Sequence, residues 1–411
     1  MFALFRKALE LKVPISLRIR LVRWMAGAAL REFPWALGAF CVIAIASLIA
    51  MGAGESTLGV VAVTLLAVAT MALARLARQS LGAGERLREA LEQLAPPDEL
   101  DGSRFPLSHV VFPPLMFFAR GVRRTNGIEF ARYGKKALRL DVYAPRDPQA
   151  PHPGGAGPRP AIIQVHGGGW IVGSRHEQGI PLLNHLASSG WVGFNIDYRL
   201  SPRATFPEHI VDVKRAIAWV REHAGEYGAD PDFICITGGS AGGHLSALAA
   251  LTPGDPAFQP GFEQADTSVA AAVPFYGVYD LTDAEGAYYR ELREWVFERY
   301  VFKATVVEDP ERFRAASPTY RIQADAPPFL VLHGDHDSLV PVADARRFVR
   351  ELRETSDNPA LYAELAGAEH AFDILPSVRT ARVVETIELF LGAVRARHAD
   401  SASMDALESA A

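Results

Sequence analysis

A serine between small residues comes directly after a short apolar run. The run is residues 233–237, the motif is Gly238-Gly239-Ser240-Ala241-Gly242-Gly243, and helical spacing of apolar residues follows over 244–251. A strand that stops at a serine and turns at once into a helix holds that serine in a strained, exposed turn, where glycines prevent clashes. This is the geometry of a nucleophile elbow, G-x-S-x-G. The motif predicts Ser240 as a nucleophile, and the alternative is a glycine-rich turn without a chemical role.

A second glycine-rich motif lies upstream of the serine. His166-Gly167-Gly168-Gly169-Trp170 follows the buried-strand pattern of residues 161–165. Consecutive glycines let backbone N–H groups approach a substrate oxygen without a Cβ in the way. We expect the N–H groups of Gly168, Gly169 and Ala241 to form an oxyanion hole that stabilises a tetrahedral intermediate. A phosphate-binding loop fits poorly, because no P-loop lysine or dinucleotide fingerprint follows.

In this motif order an acid and then a histidine follow the serine. Asp335 and Asp337 both come after the predicted strand 329–332. Asp337 is favoured because it lies beyond the strand end in a loop that can reach a histidine, whereas Asp335 can cap the turn with local hydrogen bonds. His370 follows the last predicted strand and precedes the final helix, so we expect it to be the general base.

At these residues the chain resembles a known family. Residues 126–394 are similar to bacterial carboxylesterases of the hormone-sensitive-lipase-like type, within the α/β-hydrolase fold, and the segment 197–202 is similar to that family's Y-R-L-[AS]-P. Gly239 stands where the family commonly has an aspartate, and the acid lies in H-G-D-H-D-S-L-V-P instead of D-x-L-x-D. Both features also resemble feruloyl-esterase-like and kynurenine-formamidase-like relatives. The resemblance implies acyl transfer through an acyl-enzyme, with no metal or organic cofactor.

Strands and helices alternate from residue 160 onward, which predicts a mainly parallel sheet covered on both faces. Upstream, a hairpin turning at residues 134–136 predicts an antiparallel edge. The insertion 278–317 is rich in aromatic residues and predicts a helical cap that shapes substrate choice. The predicted fold is therefore an α/β-hydrolase with a helical cap, over residues 126–396. Its strands are predicted at 128–133, 138–143, 161–165, 191–197, 233–237, 269–276, 329–332 and 361–365.

Two uncharged runs precede this domain. Residues 33–54 and 56–74 number about 22 and about 19, each long enough to cross roughly 30 Å of hydrocarbon as a helix. They predict two transmembrane helices in a hairpin over residues 33–76. A cleaved signal peptide is disfavoured because the first run begins late and a second follows directly. A buried helical pair in a soluble protein is the other alternative, but neither run shows a polar stripe.

Basic residues flank the two runs and are absent from the turn between them. By the positive-inside bias both ends, and with them the catalytic domain, face the cytoplasm. Residues 2–25 mix basic and apolar side chains with Trp24, which suits an amphipathic helix on anionic lipid. The alternative is that the basic segment 1–32 only sets topology. The flanking residues are Arg6, Lys7, Lys12, Arg18, Arg20, Arg23, Arg31, Arg75, Arg78, Arg86 and Arg88.

Residues 77–125 combine a predicted linker helix, 78–94, with a dense apolar segment, 107–123. That segment suits a lid over an acyl pocket, a membrane-dipping segment or packing against the core. Residues 397–411 are small and polar and predict a disordered tail. The cysteines, Cys41 and Cys235, cannot pair across this arrangement, and no zinc-ligand spacing occurs.

Three classes of function fit these observations. The first is a membrane-anchored serine carboxylesterase or lipase acting on short- to medium-chain acyl esters, either small molecules or lipids. The second is an amide hydrolase of the kynurenine-formamidase kind, which the same residues could support. The third is a membrane scaffold that binds without cleaving, which the complete Ser-Asp-His set disfavours. Membrane lipid is an expected partner, while nucleic acid is excluded because no basic stripe with interleaved aromatic residues occurs. Acyl length and oligomeric state stay open.

Overall fold

An eight-stranded sheet forms the centre of the protein. The computed structural model describes residues 10, 13–94, 104–105, 108, 119–152, 157–375 and 377–409, with side chains up to residue 400. The strands are β1 (Val122–Tyr133), β2 (Lys136–Pro145), β3 (Arg159–Val165), β4 (Val192–Ile196), β5 (Ala229–Gly239), β6 (Ala271–Phe275), β7 (Phe329–Gly334) and β8 (Ala360–Leu365). Their spatial order is β1-β2-β4-β3-β5-β6-β7-β8.

The sheet is antiparallel at one edge and parallel elsewhere. β1 and β2 form a hairpin in which Tyr133 pairs with Lys136, and β2 also runs antiparallel to β4. Strands β3 to β8 pair in parallel. β3, β4 and β6 are buried along their whole length, as expected for parallel strands covered on both faces. The predicted α/β architecture is confirmed.

Helices cover both faces of the sheet. Ile210, Leu245 and Phe348 belong to the hydrophobic core on one face, and Leu87 and Ile387 belong to the core on the other. The helices are α1 (Ile15–Glu32), α2 (Pro34–Ala50), α3 (Thr57–Leu91), α4 (Ile180–Ser188), α5 (Glu208–His223), α6 (Ala241–Leu251), the π-helix Leu292–Phe302 that we call the cap helix, α7 (Pro310–Ala316), α8 (Val342–Thr355) and α9 (Val378–Ser409). Four short 3-10 turns, Ala53–Glu55, Ala224–Tyr227, Pro256–Phe258 and Pro318–Arg321, complete the description.

The N-terminal apolar runs are helical and lie against one another. α3 is long and apolar enough to cross a membrane, and α1 with α2 forms a pair bent by 79° that could count as a second span. By length and composition, the described residues therefore contain one such helix, or two if the bent pair is counted. Only weak support for a membrane anchor follows from these helices alone.

Two segments differ from their sequence-based expectation, and a third lies mostly outside the described residues. The linker helix predicted at 78–94 is the C-terminal part of α3, because good helix formers continue through residues 74–78 without a breaking residue. α9 continues to Ser409, past Arg397, where we predicted the disordered tail to begin. The apolar segment predicted at 107–123 lies outside the described residues, apart from residues 108 and 119–123.

The amphipathic N-terminal helix predicted over residues 2–25 lies partly outside the described residues, which begin with residues 10 and 13. Within the described part, α1 runs from Ile15 to Glu32. Its buried residues Leu17, Leu21 and Trp24 belong to the same core as the sheet, so one apolar face packs on protein and not on lipid. Hydrophobic periodicity shows that a helix has an apolar face but not which apolar partner meets it.

Candidate active site

Ser240 lies in a strained turn between β5 and α6. Its backbone has φ 57° and ψ −119°, in a region that residues with a Cβ rarely adopt. Its N–H donates a 3.0 Å hydrogen bond to the carbonyl oxygen of Phe275 on the neighbouring strand. A Cβ at Gly242 would lie 2.2 Å from the carbonyl oxygen of Val165, so that position requires glycine. The turn therefore has the geometry expected of a nucleophile elbow.

Asp337 lies in the loop after β7, with its side chain fully buried. One carboxylate oxygen, Oδ1, accepts hydrogen bonds from the N–H groups of Leu339 and Val340, at 2.8 and 2.7 Å. The other, Oδ2, lies 2.7 Å from Nδ1 of His370 and 3.2 Å from Nε2 of His333. Burial alone would raise the pKa of Asp337, but the two histidines hold it below its usual range. The carboxylate is therefore ionised at neutral pH and can only accept hydrogen bonds.

This pairing determines the tautomer of His370. Because the ionised Asp337 accepts a hydrogen bond, Nδ1 of His370 must carry the proton, and the lone pair is then on Nε2. The Tyr276 ring centroid lies 4.6 Å from the imidazole centroid, and the Trp24 ring lies edge-on at 6.2 Å. Glu369 accepts hydrogen bonds from the N–H groups of His370 and Ser338, at 2.9 and 2.7 Å, and so joins the two loops. The imidazole thus packs against two aromatic rings and is oriented by a charged acceptor.

The loop after β3 turns tightly beside the serine. Gly168 has φ +118°, and a Cβ there would lie 2.2 Å from the carbonyl oxygen of Val172. The N–H groups of Ile171 and Val172 both bond to the carbonyl oxygen of Gly168, at 3.1 Å. Gly168 and Gly169 line the same cavity as Ser240. The structure thus brings together the loop and the serine turn, while Ala241 is the first residue of α6.

The cavity beside Ser240 and His370 has a volume of about 130 Å³. A single water needs only about 10–15 Å³, so the cavity has room for a substrate group. Most of its lining is apolar, as expected of a small-molecule site. Three parts of the chain supply most of that lining: the N-terminal segment with Val13, Leu17, Leu21 and Trp24; the glycine loop with Gly168 to Gly173; and the cap with Val278, Tyr289, Leu292, Trp295, Val296 and Tyr300.

His244 connects the elbow to the cap. Its Nε2 donates to the carbonyl oxygen of Ala316 at 2.8 Å, and its Nδ1 accepts from the indole N–H of Trp170 at 3.3 Å. Burial lowers the pKa of His244 to about 4, so the ring is neutral at pH 7. His244 therefore has a structural position, in agreement with its place in the helix after the motif.

Several groups at the site make contacts that the sequence did not predict. Trp24 hydrogen-bonds the backbone of the His370 loop, and His333 contacts Asp337. The hydroxyl of Tyr276, whose ring packs on His370, donates to Asp373. Asp335 accepts from the distant N–H of Gly367 at 2.6 Å, instead of capping only its own turn. A tryptophan on the apolar side of α1 was the one visible clue, because a buried indole needs a hydrogen-bond acceptor.

No metal site was found within the part of the chain that the structure describes, since no three His, Cys, Asp or Glu side chains there could hold an ion.

Comparisons with known proteins find a family of hydrolases and several esterases. Residues 140–352 match the family BD-FAE. The chain is 50% identical over 283 residues to the probable carboxylic ester hydrolase LipM of Mycobacterium tuberculosis, covering 69% of this chain and 64% of that protein. It is 47% identical to the esterase LipQ of the same organism, covering 71% and 66%. The alignments therefore span just under two thirds of the length of these relatives. The apo form of Thermogutta terrifontis esterase 2 is 30% identical, with a TM-score of 0.52, covering 68% of this chain and 94% of that one.

Proposed function

This chain belongs to the BD-FAE family of α/β-hydrolases, and we propose that it is a serine carboxylesterase that hydrolyses short- to medium-chain acyl esters. Named esterases at 46–50% identity support the reaction class. The observation that carries the proposal is the buried bond of 2.7 Å between Asp337 and His370, in a protein where His370 shares an apolar cavity with Ser240. An ionised acid that orients a histidine beside a serine is the arrangement that activates a hydroxyl for acyl transfer.

Ser240 is the proposed nucleophile. Its Oγ attacks the ester carbonyl carbon while Nε2 of His370 takes the hydroxyl proton, and Asp337 stabilises the imidazolium that forms. The imidazolium then protonates the leaving alkoxide, so that an alcohol departs and an acyl-enzyme remains. Water, deprotonated by His370, attacks the acyl carbon and releases the carboxylic acid with Ser240 restored.

The N–H groups of Gly168, Gly169 and Ala241 are the proposed oxyanion donors. Each such donor contributes a factor of about 10² to 10³ in kcat when it points at the position of the developing negative charge. Support comes from the positive φ of Gly168 and Gly169, at 118° and 60°, in a loop that lines the cavity next to Ser240. Glycine at these positions allows a close backbone approach that other residues would prevent.

A membrane anchor is the second part of the proposal. α2 and the N-terminal part of α3 are proposed to cross the bilayer as a hairpin, with the catalytic domain on the cytoplasmic side. The apolar surface of α3 and the arginines at both ends of the hairpin support this arrangement. A reporter fused after residue 411 tests it: activity restricted to the compartment outside the cytoplasm would contradict this orientation.

Hydrolysis of a p-nitrophenyl ester series from acetate to palmitate tests the activity. We expect turnover by the detergent-solubilised protein and its loss by several orders of magnitude in Ser240→Ala. Folded protein without turnover on any ester would contradict the proposal. Activity on formyl amides would then indicate the amide hydrolase predicted as the alternative from the sequence.

A further inference from the structure

Helix α1 has two apolar faces on opposite sides. Leu17, Leu21 and Trp24 are buried at the active-site cavity. The other face carries a stripe that we call the outer stripe, consisting of Ile15, Ile19, Val22 and Leu30, which are 73%, 55%, 48% and 46% exposed. Residues spaced three, four or seven positions apart share one face of a helix, and at 100° per residue this stripe lies opposite the buried one. A helix with two apolar faces needs an apolar partner on each.

The inner face is held firmly against the loop that carries His370. The indole N–H of Trp24 donates to the carbonyl oxygen of His370 at 2.7 Å, and Arg31 donates to the carbonyl oxygen of Gly367 at 3.2 Å. Glu32 forms a buried ion pair with Arg379 just beyond that loop. α1 is therefore attached before, at and after His370, and forms a wall of the cavity.

The residues and the helix next to the outer stripe are typical of a surface that contacts lipid. Arg18 and Arg23 lie on its two sides, and basic residues beside an apolar stripe are typical of helices that rest on anionic lipid. α1 also leads directly into the apolar helix α2 across a bend of 79°. A helix nearly perpendicular to a membrane-crossing helix lies along the membrane surface. Continuity with the proposed anchor thus makes the bilayer the occupant of this face.

We propose that α1 is a shared wall between the active-site cavity and the membrane surface, and that the physiological substrates are acyl esters held in the bilayer, whose acyl chain packs against Leu17 and Leu21. This inference rests on the proposed esterase activity and names its substrate class. An acyl chain that moves from lipid to an apolar cavity without entering water avoids the cost of exposing its methylenes to water. An enzyme for soluble esters would have no use for a lipid-facing wall beside its acyl site.

The test compares two esters with the full-length protein in nanodiscs of phosphatidylcholine and phosphatidylglycerol. p-Nitrophenyl acetate reaches the site from water, whereas p-nitrophenyl decanoate partitions into the lipid. Ile19→Glu places a charge on the outer stripe, and Val307→Glu is the matched control because Val307 is 86% exposed in a turn outside the site. We expect Ile19→Glu to lower decanoate hydrolysis by about tenfold, equivalent to about 1.4 kcal/mol, and to leave acetate hydrolysis within about twofold. Val307→Glu should change neither rate.

A second measurement locates the stripe without relying on activity. A spin label at position 19, in a Cys41→Ser background, should be more accessible to oxygen, which dissolves in lipid, than to a water-soluble nickel chelate. A label at position 307 should show the opposite order. Cys235 should stay unlabelled, because it is buried and burial raises the pKa of its thiol.

The outcomes separate this inference from the proposed function. Wild-type protein that hydrolyses neither ester would contradict the esterase itself. Wild-type protein active on both esters, with Ile19→Glu affecting both equally or neither, would overturn the shared wall alone. A dimer that Ile19→Glu converts to a monomer, with position 19 shielded from oxygen, would show that a second copy covers the stripe and would also overturn it.

Discussion

The indole Nε1 of Trp24 donates a hydrogen bond of 2.7 Å to the main-chain carbonyl oxygen of His370, although the two residues are 346 positions apart. Trp24 is almost fully buried, and its ring also packs edge-on against the imidazole. The helix that precedes the proposed membrane anchor therefore contacts the proposed general base directly. Trp24 is a positioning residue in this arrangement, since it acts through His370.

Trp24→Phe should lower kcat, and it should also cost about 1–3 kcal/mol of stability because it leaves a buried carbonyl oxygen without its donor. Phenylalanine keeps an aromatic ring but removes the N–H, and one neutral hydrogen bond is worth about 0.5–1.5 kcal/mol, or roughly 2- to 12-fold. We expect this loss in kcat for p-nitrophenyl acetate with an unchanged KM, together with a shift in the acidic limb of the pH profile of kcat/KM. Trp35→Phe, at an exposed position on α2, is the control. A change in melting temperature alone, with normal kinetics, would mean that Trp24 has only a packing role.

The packing partner of α1 could not be predicted from the sequence, although several strands could. Strands such as β3 and β5 could be predicted because short apolar runs end at glycine-rich turns, and local pattern determines that much. The apolar side of α1 was equally visible, but Leu17 and Leu21 suit lipid and protein alike. The contact that decides between these partners, Glu32 with Arg379, joins residues 347 positions apart. No window of local sequence contains such information.

Some residues of the proposed site could be predicted from the sequence, and others could not. Ser240, Asp337 and His370 could be selected because motif order and loop position constrain them, and the structure puts Asp337 and His370 in contact. Their catalytic roles stay predictions until variants are measured. His333 also contacts Asp337, but its side chain points there only because of the path of the loop after β7, which spacing does not reveal.

Asp337→Asn and Asp335→Asn distinguish the two acids considered from the sequence. An amide at position 337 cannot hold the imidazole in the required tautomer, so kcat should fall by about 10³- to 10⁴-fold. Asp335 bonds the N–H of Gly367 and the ring of His336, and its replacement should cost about 1 kcal/mol of stability with kcat within about threefold. Ester hydrolysis at pH 7.5 measures both. The reverse ranking would assign the acid to Asp335.

Gly168→Ala should inactivate the enzyme by distorting the glycine loop. A Cβ at this position would lie 2.2 Å from a backbone oxygen, which a side-chain rotation cannot relieve. Gly286→Ala is the matched control, because its φ is also positive, at +63°, but no atom lies within 4 Å of the added Cβ. Both variants should lose about 1 kcal/mol of stability from backbone strain, and Gly168→Ala should lose more because of the clash. Only Gly168→Ala should lose about 10²-fold or more in kcat, so equal kinetic losses would argue against an oxyanion role for the loop.

His244 should make the folded state sensitive to acid. Burial lowers its pKa to about 4, whereas an unfolded histidine has a pKa of about 6.5. Between these values the unfolded chain binds a proton that the folded protein does not, so stability falls as pH decreases, by up to about 1.4 kcal/mol per unit. His244→Gln removes this proton, and its stability should fall less steeply than that of the wild type between pH 6.5 and 4.

The comparison of slopes cancels the buried groups that do not interact with His244; His209 is the exception, because His244 contributes to its low pKa. Burial lowers the pKa of His209 to about 3, which adds to the acid sensitivity, while burial raises the pKa of Asp344 to about 6, which opposes it. Urea unfolding of the detergent-solubilised proteins at several pH values gives the two slopes. Parallel lines would show that His244 titrates normally in the folded state.

Leu21→Phe should shorten the preferred acyl chain. Leu21 is almost fully buried on the inner side of α1 and lines the cavity with Ser240, so a larger ring at this position takes up space that an acyl chain would use. Each methylene excluded from an apolar pocket is worth about 1–3 kcal/mol, and decanoate should therefore lose about tenfold or more in kcat/KM relative to acetate. Leu21→Ala should have the opposite effect and accept longer chains, at a stability cost of about 2–5 kcal/mol. Equal changes in kcat/KM for all chain lengths would mean that the acyl group binds away from α1. The cap side of the cavity, near Trp295 and Tyr300, would then select the acyl chain length.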